Sequence, residues 1–414
     1  MQHDEVRDAG ALLGTALDEV AVVVRDVHQA VAKRIFGLLG PRTAPVRALH
    51  DGISNVVYAS TRFGVRAAPA VVGATAAELR APASASVHGT PRGHFVVNVL
   101  NGFWGDRLAQ TRASLAPLLS LRTHEGELRR LPENLLHDLG ATASGNIVVF
   151  VHGLCESDRY WTFRSEKQYG DRSVTYGSRL RDEQGWTPLY VNYNSGLHVS
   201  DNGKQLAEQL ETIVACWPVP VESIALIGHS MGGLVARSAS RQAVALGHGW
   251  TTSLRHIVGL GAPHHGAPLE RFVNGGTHAM SRLPETRPFA DWLNRRSVGI
   301  KDLRYGAIVD DDWWGVDPDE RLVDRRTAAA LLDGVTYSVV SATLSRRSDG
   351  PFAHDLLVQH RSAHGIHPTM TIVFDADHTM HVGHRTHFHL LNDLRIAEQL
   401  QLWLATESAT AVAN

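Results

Sequence analysis

Two cysteines in 414 residues, Cys155 and Cys216, are too few for a disulfide scaffold and too widely spaced for a metal or redox pair, so they read as small buried hydrophobes. No run reaches the roughly 18 uncharged apolar residues of a membrane span. The first residues are acidic and lead into no uncharged apolar core; they do not read as a signal peptide, and the default expectation is a cytoplasmic protein. Net charge is also lacking: 40 Lys and Arg against 42 Asp and Glu leave −2, no global field to recruit nucleic acid or an anionic membrane. What the chain does have is 43% hydrophobic residues, ample for one large domain with an appendage.

From Leu13 onward, apolar residues recur at Leu17, Val20, Val24, Val27, Val31, Ile35 and Leu38, the three-and-four spacing of one helix face. Gly40-Pro41 ends that helix, and a second helical pattern runs through Leu49, Ile53, Val56 and Val57. Residues 80–91 read as a linker or long loop. Residues 1–115 are therefore expected to form a mainly helical extension. Its apolar stripe calls for a cover: the body of the protein, a second copy in a homodimer, or a lipid surface.

Beyond that point, short β-type runs alternate with helical patterns. A hairpin-like pair over 118–131 turns at Glu125-Gly126, and further runs lie at 147–151, 189–193, 224–228, 257–260, 335–340 and 371–374. Helical patterns fill 202–216, 231–246 and 388–404. The alternation predicts an α/β fold over residues 116–405, a mostly parallel twisted sheet with helices on both faces, with 406–414 as a tail. The stretch 267–326 is longer than a crossover requires and rich in Pro, Trp and charge, which marks it as a candidate lid.

Gly228-His-Ser230-Met-Gly232-Gly233 falls directly between the apolar run 224–228 and the helical pattern 231–246. A bare G-x-S-x-G is weak in a chain with 37 glycines, but strand before and helix after is the context a nucleophilic serine needs. A sharp turn there lifts the serine hydroxyl above the sheet, and the small residues two before and two after let strand and helix approach. Upstream, the apolar run 147–151 leads into His152-Gly153-Leu154. In such a fold one oxyanion donor comes from that loop and the other from the residue after the serine, here the backbone N–H groups of Leu154 and Met231. His152 precedes the serine and is expected to brace its loop, because the chain order of these folds is serine, acid, histidine.

Val149-Phe-Val-His-Gly-Leu154, Gly228-His-Ser-Met-Gly-Gly233 and Gly261-Ala-Pro-His-His-Gly-Ala-Pro268, in that order, resemble the lipase and esterase branch of the α/β-hydrolase superfamily, including its GPI inositol-deacylase-like group. The resemblance covers about residues 116–405. It implies hydrolysis of a carboxylic ester, small or lipid, through an acyl-serine intermediate, with no cofactor and no metal in the chemistry. Asp355-x-x-Val358-x-x-x-Ser362-Ala363 resembles the family's acid signature, although relatives often carry Gly where this chain has Leu356; Asp349 is the competing acid. Thr386-His387-Phe-His-Leu-Leu391 resembles the family's histidine segment and points to His387, with His378 as the alternative. The His-x-x-His spacing from 378 to 387 also admits a metal reading, against which stands an ordinary histidine-rich loop. Asp310-Asp311-Asp312 similarly reads as a solvated turn before a calcium site. A thioesterase, amidase or polyester depolymerase would use the same residues, and a non-catalytic lipid- or granule-binding scaffold is the alternative of another class.

Overall fold

Apolar runs separated by amphipathic stretches are buried most completely as neighbouring parallel strands with helices laid over both faces. The computed structural model describes residues 3–79, 91–111, 114–123, 126–128, 132–139, 143–326, 329–350 and 352–405. Its strands are β1 (Ser120–Thr123), β2 (Gly126–Glu127), β3 (Asn146–Val151), β4 (Thr187–Asn192), β5 (Ser223–His229), β6 (Leu254–Leu260), β7 (Thr336–Thr343) and β8 (Thr379–Gly383). They form one sheet in the order β2-β1-β4-β3-β5-β6-β7-β8. β1 pairs antiparallel with β2 and β4, and β4 through β8 run parallel. This is the α/β-hydrolase fold. β3 and β5 sit at its centre and are enclosed on both faces. Val149, Val151 and Leu226 meet Leu206 and Leu234 on one side, while Val148, Phe150 and Ile227 meet Trp161 and Tyr176 on the other.

Two sequence expectations are corrected. The run 371–374 is not a strand: Val373 is exposed, and the Ile372 N–H donates to Gly365 O (2.8 Å) in a loop. The last strand is β8, whose residues Thr-Met-His-Val-Gly carry no apolar run because an edge strand beside β7 encloses only Val382. The final helix is also shorter than 388–404: His387–Leu390 forms a 3-10 turn, and the α-helix is Leu394–Trp403, started by the Asp393 side chain accepting from Arg395 N–H. Glu125 of the expected hairpin turn, the linker residues 80–90 and the tail 406–414 lie outside the described residues.

The chain divides into two compact units. One comprises the helices α1 (His3–Leu39), α2 (Ala44–Leu79) and α3 (Pro91–Thr111) with Arg271–Arg296 and Asp319–Leu322; the other holds the sheet and its covering helices. The stretch 267–326 is thus split between them. Within the first unit, α1 and α2 form a hairpin joined through polar and small residues. Asp18 binds Arg62 (2.7 Å), Gln29 donates to Asn55 (2.9 Å), and a Cβ on Gly14 would lie 2.6 Å from Arg66 O. Among the described residues no helix is long and apolar enough to cross a membrane.

Candidate active site

Ser230 occupies the bend between β5 and the helix Met231–Leu246 with φ 53° and ψ −123°, a conformation that a residue with a Cβ adopts only under strain. Two contacts force the bend. A Cβ on Gly228 would lie 2.3 Å from the Gly232 carbonyl carbon, and one on Gly232 would lie 2.1 Å from Val151 O at the end of β3. Only glycine lets this helix start so close to the sheet, and the chain reverses at once. The Ser230 N–H donates to Leu260 O at the end of β6 (2.8 Å), and its side chain is half-buried rather than enclosed.

Asp355 and His387 are brought together. The His387 Nδ1–H donates to Asp355 Oδ2 at 2.6 Å, with both side chains 2% exposed. The main chains join too, His387 N–H to Asp355 O at 3.0 Å. Asp355 Oδ1 accepts from the N–H groups of Leu357 (3.0 Å) and Val358 (2.7 Å). Burial opposes the charge of this carboxylate, but the imidazole and the two amides prevail and hold it below the usual range. His387 Nε2 is buried with no partner among the described residues. The ring lies over Gly261, where a Cβ would be 3.1 Å from His387 Cε1; Gly261 directly follows Leu260, which holds Ser230. Leu356 stands at φ 89°, a left-handed backbone conformation that favours glycine, although the side chain is leucine.

The competitors sit elsewhere. Asp349 is exposed and paired with Arg347 (2.8 Å), and the His378 ring approaches Ser338 Oγ (3.1 Å) at the start of β8. The other histidines separate: His381 contacts Thr343 (2.7 Å) and His389 contacts Thr386 (2.6 Å). Asp312 accepts from the N–H groups of Ile308 and Val309, closing its own turn.

His152 braces its loop. Its Nδ1–H donates to Gly153 O (2.8 Å), its Nε2 accepts from Tyr193 N–H (3.3 Å), and burial holds it neutral by lowering its pKa. That loop lies against the serine, since a Cβ on Gly153 would be 3.0 Å from Ser230 Cβ. The Gly153 N–H donates to Glu156 (2.7 Å) and the Cys155 N–H to Ser195 (3.1 Å), so the intervening Leu154 N–H is the one without a partner among the described residues.

Sequence reasoning missed Glu156 and gave His229 no role. The two form an enclosed ion pair, His229 Nδ1 to Glu156 Oε1 at 2.9 Å, with side chains 0% and 3% exposed. Burial works against both charges, yet each partner's field overrides it; the His229 pKa is raised and that of Glu156 lowered. His229 Nε2 faces His387 O at 3.4 Å, so both ring nitrogens meet acceptors, as an imidazolium requires. One pair therefore ties the Gly153 loop, the residue before Ser230 and the backbone of His387 together. Only the position of Glu156, three residues after Gly153, could have signalled this.

A cavity of about 540 Å³ in the same unit is lined by His198, Tyr305, Trp313 and Trp314 and by none of Ser230, Asp355 and His387. It is not the chamber of this site.

Residues 142–325 match the family described as a PGAP1-like alpha/beta domain. Over that stretch, a little under half of the chain, the protein is similar to this family. That family is one of hydrolases, and the matched stretch includes Ser230 and Glu156 but ends before Asp355 and His387. Similar solved structures include the Bacillus licheniformis lipase BlEst2 in its propeptide form, at 19% identity over 63% of this chain and 50% of that one, TM-score 0.40. The chain thus spans half the length of that form. A Pyrobaculum calidifontis esterase is similar at 13% identity over 78% of this chain and 95% of that one, TM-score 0.36. EstA from Clostridium botulinum is similar at 11% over 64% and 88%, TM-score 0.38. No curated protein matches the chain.

Proposed function

We propose that the protein hydrolyses carboxylic esters through an acyl-serine intermediate, with Ser230 as nucleophile, His387 as general base and acid, and Asp355 as the group that orients the imidazole. The observation that carries the reading is the enclosed Asp355–His387 pair, which leaves Nε2 of a histidine unengaged beside the turn that holds a strained, half-buried serine. His387 Nε2 takes the Ser230 proton as Oγ adds to the ester carbonyl, and the imidazolium is stabilised by Asp355. The oxyanion is met by the N–H groups of Leu154 and Met231. Collapse breaks the carbon–oxygen bond, and His387 returns the proton to the departing alkoxide; water then repeats both steps on the acyl-enzyme.

A panel of p-nitrophenyl esters of increasing chain length, with one thioester and one amide, tests the reaction class on wild type and Ser230→Ala. We expect ester turnover in the wild type and a loss on the order of 10⁴-fold or more in the variant, with an unchanged circular dichroism spectrum. Full ester turnover by Ser230→Ala refutes the nucleophile. No turnover in the panel, together with no labelling of the wild type by a fluorophosphonate, favours the scaffold reading.

A further inference from the structure

The apolar residues of the α1–α2 hairpin point away from its own interface. On α1, Leu17, Val24, Val31 and Leu38 recur every seven residues, and Leu13 and Val20 are seven apart beside them. On α2, Val46 and Ile53 recur at seven, with Leu49, Val56 and Phe63 interleaved. All eleven are exposed, from 39% at Val31 to 83% at Leu38, while Asp18, Ala32 and Ser54 are buried. Ile35, Leu39 and Val57 are exposed as well, so the repeat of seven lies within a wider apolar face of the kind that packs against another helix.

Three glycines say the same independently. Gly37, Gly52 and Gly64 lie inside these helices, where glycine costs about 1 kcal/mol relative to alanine. A Cβ on any of them would meet nothing within 4 Å. Gly14 has its reason inside the hairpin, against Arg66 O; these three have none among the described residues. In sequence each adjoins a stripe residue, at Leu38, Ile53 and Phe63. Glycines so placed admit close approach by a further helix.

Charge decides the partner. Acidic and basic residues balance over residues 3–79, and the arginines beside the stripes, Arg25, Arg47 and Arg62, are paired with Asp26, Asp51 and Asp18, so little free positive charge is left for an anionic lipid surface. At roughly 80 Å² lost per side chain, eleven such residues cover on the order of 900 Å² per copy, which reaches the ~800 Å² per partner of a standard stable interface.

We propose that a second copy of this chain docks on the two stripes, helix against helix, so that the protein is a dimer through its α1–α2 hairpins. The test is the mass of the full chain by sedimentation equilibrium, for wild type, Val24→Glu, Ile53→Glu and Gly52→Leu. All three positions are open among the described residues, so each variant keeps its helical circular dichroism. Expected are a mass of two copies for wild type and at least a 100-fold weaker dissociation constant for each variant. A single-copy mass for wild type across the micromolar range overturns the proposal, as does an assembly that none of the three substitutions weakens. Flotation of a monomeric wild type with phosphatidylcholine–phosphatidylglycerol vesicles, abolished by Val24→Glu, overturns it in favour of a lipid surface.

Discussion

Gly232 and Gly52 are both helical glycines, yet their surroundings are opposite. Around Gly232 the backbone of β3 stands where a Cβ would go, whereas Gly52 looks onto open space. The contrast extends to whole units. In the sheet, Val149, Leu226 and Ile227 are fully enclosed and the charged residues inside, Asp355, Glu156 and His229, are paired at a site. In the hairpin, valines and leucines face out while an ion pair, Asp18 with Arg62, lies within. A sheet closed on both faces makes its own interior; two helices make a seam and leave the rest of their surface to something else. Periodicity reports which residues share a face and is silent on what covers it.

Substitutions at these positions would break or sharpen the contrast. Gly232→Ala forces a contact near 2 Å with Val151 O and should cost about 3 kcal/mol or more of unfolding free energy in urea titrations, with ester turnover lost in proportion to disturbance of the Ser230 turn. A cost below about 0.5 kcal/mol would mean that helix and strand are not in tight contact.

Glu156→Gln removes the partner of an enclosed imidazolium and should cost about 2 kcal/mol in acid solution, less where His229 can discharge. The sign follows from the raised pKa of His229: its contribution is complete below the ordinary histidine value of about 6.5 and fades as pH rises through the raised value. The depressed pKa of Glu156 works in the other direction, its share being lost as pH falls through the lowered value. Melting temperatures of wild type and variant should therefore differ most below the raised His229 value and converge as pH rises through it. A gap independent of pH would mean the pair is not charged.

Gly52→Ala, made in the Val24→Glu, Ile53→Glu background so that a hairpin is read by itself, should stabilise α2 by about 1 kcal/mol, the reverse of Gly232→Ala. Thermal denaturation followed by circular dichroism checks the sign. Smallest is Leu356→Gly, which relieves a leucine held at φ 89° but frees the unfolded chain; a gain under about 1 kcal/mol is expected, and a loss would show that the exposed leucine packs on something.

Much of the site could be read along the chain because its signals are local. The glycines at 228 and 232 report a turn made by consecutive residues, and the Asp355 and His387 segments each carry their own pattern. The errors have a common cause. The run 371–374 has strand-like residues, but β-propensity describes fit to a half-buried pleated surface, and that surface beside β7 is occupied by β8. Glu156 and His229 lie 73 residues apart and neither has a local pattern that names the other.

The alternation of strands and helices, the bend at Ser230 and the helical character of residues 3–79 follow from the sequence itself, since each depends on neighbours a few positions away. Which histidine meets Asp355, what neutralises His229 and where the last strand runs were decided only when distant segments closed on one another, because burial converts a choice of partner into a large energy difference that no short stretch of chain contains.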